Sequence, residues 1–91
     1  MTRDDYVQKM HALLDSLNDE IDALTKRAEN AGADVREELA ELRAKQHDAH
    51  TRLASLRDSG GEAWQDLKAG VELARDAIGE ALESARSRFK Q

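Results

Sequence analysis

The sequence predicts an all-α protein, an asymmetric antiparallel helical hairpin that assembles as a coiled-coil oligomer. Three observations predict it. An apolar residue stands at every seventh position from Val7 through Leu14, Ile21, Ala28, Val35, Leu42 and Ala49 to Leu56. A second row, Met10, Leu17, Leu24 and Ala31, follows three residues behind the first. Alternation by three and four draws a stripe along one side of a helix, and over this many heptads the stripe reads as a coiled-coil seam. Finally, Asp58-Ser59-Gly60-Gly61 separates that stripe from a second amphipathic one.

Composition agrees with this reading. The 91 residues make one domain, 1–91, with 36% charged and 3% aromatic residues and neither Pro nor Cys. That is the composition of long helices, in which burial is spread thinly along seams. Without cysteine there is no disulfide or thiolate metal site, which fits a reducing compartment. A net charge of −5 argues against a nucleic-acid partner or a general affinity for anionic membranes, since phosphate recognition needs a basic surface. No basic-then-apolar leader follows Met1, and no uncharged run approaches the ~20 residues of a membrane span. A cytoplasmic location is expected.

The first helix is predicted over about residues 4–57. Thr2 suits its N-cap, with Asp4 and Asp5 placing negative charge in the first turn. Glu29 to Asp34 is the difficult stretch. Gly32 could end a helix as a left-handed C′ residue, and Asp34 with Glu37 has capping-box spacing. Against a break, the main row passes from Ala28 to Val35 in phase. The second row slips one place, to Leu39 and Leu53, as the drift of a continuous helix requires. One interior Gly costs only about 1 kcal/mol. The continuous helix is preferred, and a monomeric three-helix bundle with a break near Gly32 is the alternative.

Gly60-Gly61 stops the first helix, and Ser59 or Gly61 can cap the second, expected over about 62–89. The hairpin packs through Val35, Leu39, Leu42, Leu53 and Leu56 on the first helix. Trp64, Leu67, Val71, Ile78 and Leu82 answer them on the second, with Trp64 locking the turn end. Helix lengths then force a conclusion. The first would be roughly 78 Å long and the second roughly 42 Å, so Val7, Met10, Leu14, Leu17, Ile21 and Leu24 would find no partner in the chain. An exposed stripe of that kind marks an interface, and a second copy is its expected occupant.

Chemistry is sparse. His47 and His50 stand at i, i+3 but lie towards the flank of the seam, and His11 is remote in a hairpin. The Glu-x-x-His motif of di-iron bundles is absent. Carboxylates are solvating charge on long helices, and no serine sits in a nucleophile elbow. No enzyme activity, cofactor or metal ion is expected. Arg86, Arg88 and Lys90 around Phe89 make a small basic-aromatic end, too slight for lasting membrane anchorage.

Tyr6, Ile21-Asp22-Ala23-Leu24, Glu41-Leu42-Arg43-Ala44-Lys45 and above all the run from Ala63-Trp64 to Gly70-Val71-Glu72 carry a resemblance. With them the chain resembles a bacterial family of small coiled-coil proteins described as stress-responsive, with cyanobacterial and proteobacterial members. The most specific part is Ala-Trp-x-x-Leu-Lys-x-Gly-Val-Glu after a Ser/Gly turn. Members often carry a second Trp four residues after that Val, where this chain has Arg75. The resemblance implies a cytoplasmic helical protein linked to stress, with no catalytic residues to transfer. WXG-type hairpins fit less well, since Trp64 is followed by Gln65-Asp66 rather than by x-Gly. The expected function is non-enzymatic self-association in a stress setting. The alternatives are an adaptor for an amphipathic helix of a partner protein and reversible membrane-surface association.

Overall fold

The computed structural model describes residues 2–89, Phe89 by its backbone alone, so Lys90 and the Phe89 side chain of the basic-aromatic end lie outside the described residues. Three helices follow one another, α1 (Arg3–Arg27), α2 (Ala33–Asp58) and α3 (Ala63–Phe89). They run up, down and up within a rod of 47 × 18 × 16 Å. Tyr6 beside Trp64 and Glu20 beside Arg86 show that α1 and α3 are parallel. Asp22 paired with Arg43 and His11 beside His50 show that α2 runs against α1. No helix among the described residues is long and apolar enough to cross a membrane.

The continuous helix over 4–57 is therefore corrected: the chain breaks after Arg27, and the three-helix alternative is the fold. Burial decides the matter. In a lone hairpin the Met10, Leu14, Ile21 and Leu24 side chains face water until a second copy covers them, whereas here all four are buried within one chain. Each such side chain gains about 1.5–3 kcal/mol on leaving water. A helix break forfeits only a few backbone hydrogen bonds, worth about 1 kcal/mol each net.

The break is also made differently from expectation. Gly32 is not left-handed but extended, at φ −68° and ψ 170°, and it is the N-cap of α2 rather than the end of α1. Ala28 closes α1, its N–H shared between Leu24 O at 3.0 Å and Thr25 O at 3.2 Å. Ala31 N–H bonds back to Ala28 O at 2.9 Å, and the Arg36 guanidinium takes Glu29 O at 3.1 Å. Asp34 lies inside the first turn of α2, so it is not the N-cap of a box with Glu37, and no side chain caps that helix.

The other ends follow the sequence more closely. Thr2 caps α1 as expected: its hydroxyl accepts from Asp5 N–H at 3.1 Å, and the Asp5 carboxylate accepts from Thr2 N–H at 3.4 Å. In the second turn Gly61 alone takes positive φ, +62°, a conformation that needs no Cβ. Ser59 closes α2, its hydroxyl donating to Leu56 O at 2.7 Å, and so serves the helix before the turn.

The core is a column of aliphatic side chains from all three helices, with Leu14, Ile21, Leu42, Leu56, Val71 and Ile78 wholly enclosed. Gln46 is the one buried polar residue among them. Its amide donates to Leu14 O of α1 at 2.6 Å. A polar group at one level of an apolar seam satisfies itself in one register only, which pins α2 against α1. Interhelical ion pairs, Asp22–Arg43 at 2.7 Å and Glu38–Arg88 at 3.1 Å, flank the core. Arg43 is half exposed, so its pair positions more than it stabilises.

Candidate functional site

Of the six seam residues expected at an interface, the structure turns Met10, Leu14, Ile21 and Leu24 into the core of a single chain. Val7 and Leu17 are half-buried against it. Leu39, Leu42, Leu53, Leu56, Val71, Ile78 and Leu82 are buried, with Val35, Trp64 and Leu67 packed at the margin. The unpartnered stripe that made an oligomer necessary in the hairpin is thus absent from the bundle. Its outer surface is polar, and Leu73, 71% exposed, is the only large hydrophobic residue standing out among the described residues.

The bundle is least closed between α1 and α3, because α1 rests mainly on α2. A shallow groove runs there, with Leu17 at its floor and Arg75, Asp76, Gly79, Glu80 and Glu83 along α3. A Cβ built on Gly79 would meet nothing within 4 Å, so α3 presents bare backbone at this point. Arg75 and Glu83 stand about one turn to either side of it. Their own partners are weak: Arg75 reaches its neighbour Asp76 at 3.3 Å and Glu83 reaches Arg86 at 3.9 Å, all partly exposed. Of this groove sequence reading named Leu17 alone, as part of the apolar seam, and passed over the α3 side, whose residues are charged or small.

At the turn end Trp64 packs against Tyr6, as the expected lock between α3 and α1. The Tyr6 hydroxyl donates to the Glu72 carboxylate at 3.1 Å. Burial, then the hydrogen bond to Glu72 and the charge of that carboxylate, push the Tyr6 hydroxyl up to about 12, with Arg75 acting in the opposite sense.

Reactive arrangements are few. The hydroxyls of Thr25, Thr51, Ser59 and Ser87 donate to the carbonyls of Ile21, His47, Leu56 and Glu83. Such bonds to the preceding turn hold a hydroxyl away from a base. His47 is exposed, and His50 turns instead towards His11 and Asp15 of α1. The break at Gly32 creates that meeting, which a continuous helix would forbid.

Comparison with protein-family models, curated proteins and solved structures finds no match for the chain. The resemblance to stress-responsive coiled-coil proteins therefore rests on the residues quoted for it alone.

Proposed function

We propose that this chain is a non-enzymatic, cytoplasmic helical bundle that works by associating with a second copy of itself through the groove between α1 and α3. The observation that carries the reading is the even spacing of Arg75 and Glu83 about Gly79, in a groove that Asp76 and Glu80 otherwise make acidic. A two-fold contact centred there, with α3 antiparallel to its copy, sets Arg75 of each chain opposite Glu83 of the other. An isologous interface needs this kind of self-complementarity. The missing Cβ lets the two helices approach closely, and Leu17 supplies apolar area beneath them. The stress-linked role implied by the resemblance belongs to this same reading, with assembly as the property a stress would adjust.

Light scattering after size exclusion, over micromolar to millimolar protein, tests it. Wild-type chain is expected to reach dimer mass at the upper end. Arg75→Glu is expected to weaken association about tenfold, since two symmetric surface pairs reverse sign at once. Adding Glu83→Arg restores it. A chain that stays monomeric throughout, or a dimer indifferent to Arg75→Glu, refutes the proposal.

A further inference from the structure

We infer that His11, Asp15 and His50 form a binding site for a divalent transition-metal ion of the zinc type, which clips α1 to α2. Among the described residues they are the one group of three His, Asp or Glu side chains close enough to share an ion, their ligand atoms all within 4.8 Å of one another. His11 and Asp15 sit at i, i+4 on α1, with Nδ1 and Oδ2 3.1 Å apart. His50 comes from α2, its Nε2 4.0 Å from the other Asp15 oxygen. The carboxylate thus stands between the two imidazoles.

These distances suit a small ion. Bonds of about 2.0–2.1 Å in a tetrahedral shell place neighbouring donors roughly 3.3 Å apart. The His11–Asp15 edge already has that length, and with donors spread over up to 4.8 Å the longest edge needs about 1.5 Å of closure. The side chains of His11 and Asp15 are more than half exposed, and that of His50 is a third exposed, so rotation suffices. Two imidazoles and one carboxylate select zinc, cobalt, nickel or copper over magnesium and calcium, which prefer oxygen alone.

A second observation concerns the group that now occupies the ligating nitrogen of His50. The Nε2 of buried Gln46 lies 3.0 Å from His50 Nε2. The same amide nitrogen donates to Leu14 O at 2.6 Å. An amide oxygen there would face a carbonyl, so nitrogen it must be. An amide nitrogen only donates, so in this contact His50 Nε2 is the acceptor. A lone pair on that nitrogen is what a metal ion requires. Binding exchanges the amide hydrogen for the ion, while Gln46 keeps its bond to Leu14. Gln46 Oε1 is buried without a hydrogen-bond partner.

Neither the seam pattern nor the histidine spacing points to this set. His47, three residues before His50, is exposed and takes no part.

Zinc chloride titrated by calorimetry into tag-free chain tests the inference, with cobalt chloride followed by visible absorption. One ion per chain is expected, with the intense cobalt bands of a four-coordinate site. The melting temperature should rise by several degrees at saturating zinc, because an ion bound only by the folded chain stabilises it. His11→Ala and His50→Ala should each weaken binding at least about tenfold, whereas His47→Ala leaves it unchanged. His11 and His47 are exposed and His50 is half-buried, and circular dichroism of each variant confirms that its helices persist. No heat with zinc at about 100 μM, or binding that survives His11→Ala, overturns the site. So does binding lost equally in His47→Ala.

Discussion

The edge of the Tyr6 ring meets the Trp64 ring at a centroid distance of 5.8 Å and an interplanar angle of 72°. Arg3 stands over Trp64 and Lys68 over Tyr6, each 5.0 Å from the ring centre. Two cations and two rings thus tie the first turn of α1 to the first turn of α3. The stack closes this end of the bundle, and edge-to-face pairs of this kind add about 0.5–1.5 kcal/mol beyond their burial.

Alkaline pH should loosen this end. Tyr6 ionises near 10 in the unfolded chain and at about 12 in the bundle. Its contribution to stability is therefore whole below pH 10 and is lost as pH rises through 12. Urea unfolding at about pH 9 and about pH 11.5 should show a lower midpoint at the higher pH, and Tyr6→Phe should remove much of that drop. Tyr6 is the only tyrosine, so its ultraviolet titration is read without overlap. A midpoint near 10 would contradict the shift.

Gln46 is expected to trade stability for register. Gln46→Leu removes a buried amide whose oxygen has no partner and should leave stability equal or raise it by about 1 kcal/mol. Gln46→Ala leaves a void and should lower stability by about 1–3 kcal/mol. Chemical denaturation ranks the three chains, and a Leu variant less stable than the Ala variant would contradict the account.

The two turns should answer substitution with opposite signs. Gly32 is extended, has open space around a prospective Cβ and lacks a capping side chain. Gly32→Asp should stabilise by about 0.5–1 kcal/mol through a new cap and a stiffer unfolded chain. Gly61→Ala forces a Cβ into φ +62° and should destabilise by about 1 kcal/mol. Thermal melts of both variants suffice.

A bundle core and an exposed seam predict different effects of truncating α1. Leu14 and Ile21 are fully enclosed here, so Leu14→Ala or Ile21→Ala should cost about 2–5 kcal/mol even in dilute, monomeric chain. The exposed Leu73 should tolerate Leu73→Ala with less than about 0.5 kcal/mol of change. Dependence of the Leu14→Ala loss on protein concentration would place that side chain between chains instead.

The seam was legible because aliphatic periodicity reports which side of a helix is buried, and every large residue of the α1 and α2 rows lies at or beside the core. The break was not legible, for a related reason. Each helix of a bundle needs its own stripe, and the seven-residue step from Ala28 to Val35 carries the phase across a loop as readily as along a helix. Counting the burial owed to Leu14, Ile21 and Leu24 would have favoured folding back. The meeting of His11 with His50 depends wholly on that fold-back, so no local spacing announces it. Gln46, visible as a flaw in the stripe, was the available hint that something polar lay on α1 opposite it.

An odd number of helices leaves Thr2 and Phe89 at opposite ends of a rod 47 Å long. Anything joined to the two ends is held apart by nearly that distance, as by a strut. A circular permutant would need a bridge of roughly 14 extended residues to close the gap, and shorter bridges should pull the first turn of α1 or the last turn of α3 out of the bundle.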